Sequence, residues 1–157
     1  MHKLGISLYP EHSTPERDHE YMKLAATYGF SRIFTCLLSV NKPKEEIIAE
    51  FSDFVKKAHE LGFMVAADTN PRVFQHLGAT PRDLSVFARM GLDVIRLDGN
   101  FGALEDRLIT RNPQGIKIEF NASSDVGIDH LIRHGAEPAN ILMCHNFYPE
   151  RYTGLSR

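Results

Sequence analysis

Short apolar runs alternate along the chain with longer amphipathic stretches, and a glycine usually marks the return from one to the next. The apolar runs are Leu4–Tyr9, Arg32–Leu38, Phe63–Asp68, Asp93–Asp98, Ile116–Asn121 and Ile141–His145. Each has the length of a strand and is rich in the β-branched or aromatic residues that fit a pleated, half-buried surface. Helix signals lie between them. Ser13-Thr14-Pro15-Glu16 reads as a capping box with Pro inside the first turn, and Thr80-Pro81-Arg82-Asp83 as a weaker copy. Gly29, Gly62, Gly91 and Gly135 stand where a left-handed cap would end a helix. In the second helical stretch Ile47, Ile48, Phe51, Phe54, Val55 and Ala58 recur at helical spacing, while Lys44, Glu45, Lys56, Lys57 and Glu60 take the other face. This alternation predicts an α/β fold with a parallel sheet and right-handed crossovers.

Two architectures accept that order: an open flavodoxin-like sheet wound on both sides, and a closed barrel. The polarity of the strand faces separates them. A central strand covered by helices on both sides is apolar throughout. Here Ile95 and Leu97 alternate with Arg96 and Asp98, and Ile116, Ile118 and Phe120 alternate with Lys117, Glu119 and Asn121. Helices outside and polar groups inside would explain this. The first turn, Tyr9-Pro10-Glu11-His12, also lacks the glycine-rich dinucleotide fingerprint. A complete barrel needs about 250 residues and eight strands, and this chain has 157 residues. The expectation is an incomplete (β/α)8 TIM barrel of about six parallel βα units.

Charge narrows the partners. Eighteen Lys and Arg against twenty Asp and Glu, evenly dispersed, give no basic stripe for a phosphate backbone, so nucleic acid is not expected. No apolar run approaches the roughly 20 residues that span a bilayer, and Met1-His2-Lys3 leads into the first strand without a signal-peptide core. A cytoplasmic protein without a membrane partner is expected. Cys36 and Cys144 have no metal-ligand or CxxC spacing and read as buried reduced thiols.

Barrel enzymes work at the carboxyl ends of their strands. Those ends carry Tyr9 and Glu11, Thr35, Asp68 and Asn70, Arg96 and Asp98, Glu119 and Asn121, then His145, Asn146 and Tyr148. Asp68, Asp98, Glu119 and Glu11 are the candidate catalytic carboxyls; Tyr9, Asn70, Arg96, Asn121, His145, Asn146 and Tyr148 are candidate substrate contacts. Plainer roles compete with these. Asp68 could cap the next helix, Arg96 could pair with Asp98, Glu119 could pair with Lys117, Glu11 could be solvated, and His145 could be a core histidine. His19, His59, His130 and His134 read as surface residues on helices. Carboxyls around one mouth suit glycoside hydrolysis, where one donates a proton and the other attacks or activates water. A metal-assisted isomerase or aldolase is the alternative, although no tight ligand spacing appears and neither metal nor cofactor is expected. A non-catalytic assembly module is the third reading.

Several collinear strings carry a family resemblance: Leu4-Gly5-Ile6-Ser7-Leu8-Tyr9-Pro10-Glu11-His12-Ser13, Ala67-Asp68-Thr69-Asn70-Pro71, Ile95-Arg96-Leu97-Asp98-Gly99, Glu119-Phe120-Asn121-Ala122-Ser123, and Cys144-His145-Asn146-Phe147-Tyr148-Pro149 through Tyr152-Thr153-Gly154-Leu155-Ser156. Together they resemble the MupG-type 6-phospho-N-acetylmuramidases. The resemblance implies a TIM barrel followed by a smaller cyclophilin-like domain. It also implies hydrolysis of the disaccharide of N-acetylmuramic acid 6-phosphate and N-acetylglucosamine in cell-wall recycling. Residues 1–157 would then be the N-terminal portion of that barrel, with the last two strands and the second domain absent. Such a chain is expected to be inactive alone and to expose barrel edges through which copies could associate.

Overall fold

The computed structural model describes residues 4–98, 101–122, 132–133 and 141–143. Six parallel strands form one sheet: β1 Gly5–Ser7, β2 Arg32–Cys36, β3 Met64–Thr69, β4 Val94–Leu97, β5 Lys117–Ala122 and β6 Ile141–Met143. Each lies within or close to one of the apolar runs. The helices are α1 Pro15–Thr27, α2 Lys44–Glu60, α3 Pro71–Leu77, α4 Ser85–Arg89 and α5 Ala103–Thr110, and a single 3-10 turn, Pro10–His12, follows β1.

The strand order is β1-β2-β3-β4-β5-β6 with no reversal. A doubly wound sheet must reverse its order to put helices on both faces, whereas right-handed crossovers between successive neighbours stack every helix on one face. The residues on that covered face are closed off from solvent: Ile33, Val65, Ala67 and Ile95 are all 0% exposed. The helices meet them with apolar stripes. In α2 the buried residues are Ile47, Phe51, Phe54, Val55 and Ala58, the face that the spacing indicated. Phe51 and Phe87 are the largest side chains fully enclosed in this layer. The opposite, concave face carries Arg32, Phe34, Cys36, Asp68, Arg96 and Glu119, as the pairing register requires. The alternation therefore reports a partial barrel with a polar interior.

Curvature is visible in one contact. Arg32 on β2 donates to Glu119 on β5 through both terminal nitrogens, at 2.8 and 2.5 Å. The two strands are three spacings apart, and the register places Glu119 four residues further along the sheet than Arg32. Laid flat, that separation is roughly 14 Å across and roughly 13 Å along, too far for the two side chains. Only a sheet curled around them brings the groups together.

Two local expectations change. Thr14, not Ser13, caps α1, its hydroxyl accepting from the Arg17 N–H at 3.3 Å. Thr80-Pro81-Arg82-Asp83 starts no helix; Thr80 and Asp83 exchange backbone hydrogen bonds of 3.0 Å in a tight turn, and Asp83 accepts from Ser85 N–H at 2.9 Å at the head of α4. A short carboxylate bonding two residues ahead closes a turn, whereas a capping box needs the longer Glu or Gln at its third position. The helix expected after the third strand is α3, which ends on Gly78 at φ +77°, a left-handed position. Gly135 lies outside the described residues.

Candidate active site

Asp68 lies near the end of β3 on the concave face and is only 8% exposed. Arg96, its register partner on β4, brings Nε to 3.3 Å from Asp68 Oδ1. The Arg96 guanidinium lies over the Phe34 ring, 4.6 Å from its centroid, a cation–π arrangement that fixes the charge in place. Tyr9 meets the same ring edge-on at 6.1 Å. Phe34 is thus an apolar floor between Tyr9 and Arg96. Residues in sequence suggested Arg96 pairing with Asp98, but Arg96 turns to Asp68. Asp98 is half-buried just beyond β4, its backbone N–H bound to Thr69 O at 2.8 Å.

Glu11 enters from the 3-10 turn after β1. Proline at its first position fixes φ there, and the turn folds the chain back over the strand ends. The Glu11 side chain is only 10% exposed, so it lines the mouth rather than being solvated. Ser39 Oγ donates to Glu11 Oε1 at 2.7 Å. Glu11 Oε2 is buried and has no hydrogen-bond partner among the described residues. Glu11 and Asp68 meet electrostatically at Cys36, whose thiol is pushed up mainly by burial. Backbone N–H groups of Leu38 and Ser39 offset that in part, and the charges of Asp68 and Glu11 add to it. A thiol raised in this way is not an activated nucleophile. Cys36 is half-buried rather than buried, and Cys144 lies outside the described residues.

The remaining expectations divide. Glu119 is 4% exposed and has both oxygens on Arg32, so its partner is not Lys117, which is exposed. Sequence could not choose between them, because Lys117 is near in the chain and Arg32 is near only in a curved sheet. Asn70 accepts from Val73 N–H at 2.9 Å and caps α3, so Asn70 fills the capping role considered for Asp68. Asn121 Oδ1 is buried and unpartnered among the described residues. Thr35 faces the helices, fully buried, and does not line the mouth. Its parity in β2 is that of Ile33; Phe34 holds the inward place, and the alternation in Arg32–Cys36 already carried that signal. His145, Asn146 and Tyr148 lie outside the described residues. Ser39 and Arg32 were missed because their partners are 28 and 87 residues away.

The arrangement offers two carboxyls in unlike surroundings. Glu11 meets the Ser39 hydroxyl, with His12 Nε2 3.9 Å from the same oxygen, and Asp68 meets the Arg96 guanidinium. Among the described residues no group of three or more His, Cys, Asp or Glu is placed to hold a metal ion, and no helix is long and apolar enough to cross a membrane.

Comparison with known proteins bears on this geometry. A solved B. cereus protein described as uncharacterized is 46% identical, with a TM-score of 0.71 over 96% of this chain and 40% of its own. A conserved Enterococcus faecalis protein of unknown function gives the same TM-score at 18% identity, covering 97% of this chain and 41% of that one. A Thermobaculum terrenum O-GlcNAc hydrolase variant shares the fold at 13% identity and a TM-score of 0.58, over 90% of this chain and 40% of that one. The chain thus spans about two-fifths of the length of the B. cereus and Enterococcus faecalis proteins. No curated protein sequence matches it. The family model described as 6-phospho-N-acetylmuramidase, N-terminal, matches residues 4–157. On that match, which covers every element around the mouth, the chain belongs to the 6-phospho-N-acetylmuramidase family.

Proposed function

We propose that this chain is part of a glycoside hydrolase that cleaves between N-acetylmuramic acid 6-phosphate and N-acetylglucosamine during cell-wall recycling in the cytoplasm. The observation that carries this reading is the convergence of Glu11 and Asp68 on the strand-end mouth of a partial barrel, in a chain of this family. Hydrolysis needs one carboxyl to protonate the leaving oxygen and another to attack or to activate water. Glu11, with an unengaged oxygen, and Asp68, steadied by Arg96, are the pair we assign to those roles, with Asp98 flanking them. Glu119, engaged on Arg32, is assigned to bracing the barrel.

Tyr9 and Phe34 present ring surface of the kind that sugar faces pack on, and Arg96 and Asn121 offer polar atoms beside it. His145, Asn146 and Tyr148 follow β6 in sequence and extend the proposed substrate contacts. The longer relatives have further chain, in which two more βα units would close the barrel and a second domain would follow. On this reading residues 1–157 alone do not turn over substrate.

The test is hydrolysis of the phosphorylated disaccharide by the full-length protein that contains this chain, followed by chromatography of the two sugars. Glu11→Gln and Asp68→Asn should each lower kcat by about 100- to 10,000-fold. Full activity in both variants would place the chemistry on other residues.

A further inference from the structure

The β2–α2 loop holds a residue that no catalytic assignment uses. Its first residue, Leu37, donates its N–H to Asp68 O at 3.1 Å, and two residues later Ser39 Oγ donates to Glu11 Oε1 at 2.7 Å. One short segment is therefore tied to the backbone of one proposed catalytic residue and the side chain of the other. The loop is hollow behind. A cavity of about 460 Å³ lies between it and α3, with Leu37, Leu38, Val40, Asn41, Arg72 and His76 in its walls. The loop meets the Glu11 side chain through the Ser39 hydroxyl.

We propose that Ser39 is a positioning residue. Its hydroxyl engages Glu11 Oε1 and thereby fixes which oxygen of the carboxyl is left for the reaction. Oε2 is the buried oxygen that lacks a partner among the described residues, as an oxygen kept for a ligand would be. Ser39 itself is exposed, so it acts through Glu11 and not through the core. The inference rests on the hydrolase reading above, in which Glu11 takes part in the reaction.

Steady-state kinetics of the full-length protein on the phosphorylated disaccharide test it. Ser39→Ala should lower kcat by roughly 10- to 100-fold, the scale of a misplaced reacting group, while leaving KM and thermal denaturation near those of the unsubstituted protein. Ser39→Thr, which keeps the hydroxyl at an exposed position, should restore most of kcat. An inactive Glu11→Gln variant beside a fully active Ser39→Ala variant would overturn the role of Ser39 alone. Loss in Ser39→Ala that Ser39→Thr does not restore would also overturn it, since loop disturbance would then be the cause. A fully active Glu11→Gln variant would instead remove the catalytic reading on which the inference stands.

Discussion

At the residue level, the chain shows how two short polar side chains two positions apart are put to different uses. Asn70 and Asp68 share a strand parity, yet Asn70 closes the first turn of α3 and Asp68 faces Arg96. Asn70→Ala should cost about 1 kcal/mol, the usual worth of an N-cap, measured by urea denaturation; an unchanged midpoint would mean the cap contributes nothing. Asp18 on α1 is a second case. It is 4% exposed and borders a hollow of about 130 Å³ shared with His19, Glu50, Asp53 and Lys57. Burial pushes its carboxyl above the ordinary 3.8, a hydrogen bond with Ser13 works the other way, and the charge of Glu50 adds to the rise. A raised folded pKa means that the folded chain keeps a proton the unfolded chain has released. Its contribution to stability is complete below the unfolded value and is lost as pH climbs through the folded one. Asp18→Asn should therefore raise the melting temperature at about pH 7 and leave it nearly unchanged at about pH 3. Equal effects at the two values would contradict the burial argument. The sequence hides this residue, because Asp18 and His19 read as ordinary polar positions in an amphipathic helix, and only the packing of α1 against α2 encloses them.

Strands and helices were more legible than the contacts between them. Apolar runs located every strand, and helical spacing found the buried face of α2, because both signals come from burial of neighbouring positions on one element. What the chain does not display is which charged groups meet across the barrel. Arg32 and Glu119 illustrate this, and the geometry gives the pair a mechanical role. Removing Arg32 leaves an enclosed carboxylate without its cation, so Arg32→Ala should cost about 2–3 kcal/mol, toward the lower end for such pairs because the arginine is partly exposed. Replacing both partners with apolar residues, as in Arg32→Met with Glu119→Leu, should recover most of that loss. Equal destabilisation in the single and double variants would argue against the pair as the cause. Gly5 belongs to the same device. A Cβ there would stand 3.3 Å from Arg32 O and 3.5 Å from Arg32 Cβ. The missing side chain gives the arginine stem room on the concave face.

For the molecule as a whole, polarity alternation was enough to choose a curved sheet over a flat one, since covering one face with helices leaves the other free to be charged. The candidate site was legible to the same depth. Strand ends named Glu11, Asp68 and Arg96, while Ser39 and Phe34 depended on loop path and strand parity. β1 and β6 stand at the two edges of the sheet, and unpaired edges invite further pairing. Residues 1–157 on their own should associate as concentration rises, as read by sedimentation velocity, and Ser7→Lys on the exposed edge strand should weaken that association. A monomer at all concentrations would show that the edges are protected.

The bridge from Arg32 to Glu119 also has a consequence in time. Each strand pairs with the one made just before it, so the sheet can grow by simple accretion as the polypeptide lengthens. The bridge obeys a different rule, because its two halves are separated by 87 residues and it cannot form until the fifth strand has been laid down. It is a drawstring threaded early and pulled late, converting a growing ribbon into a bowl with the acidic rim already facing inward.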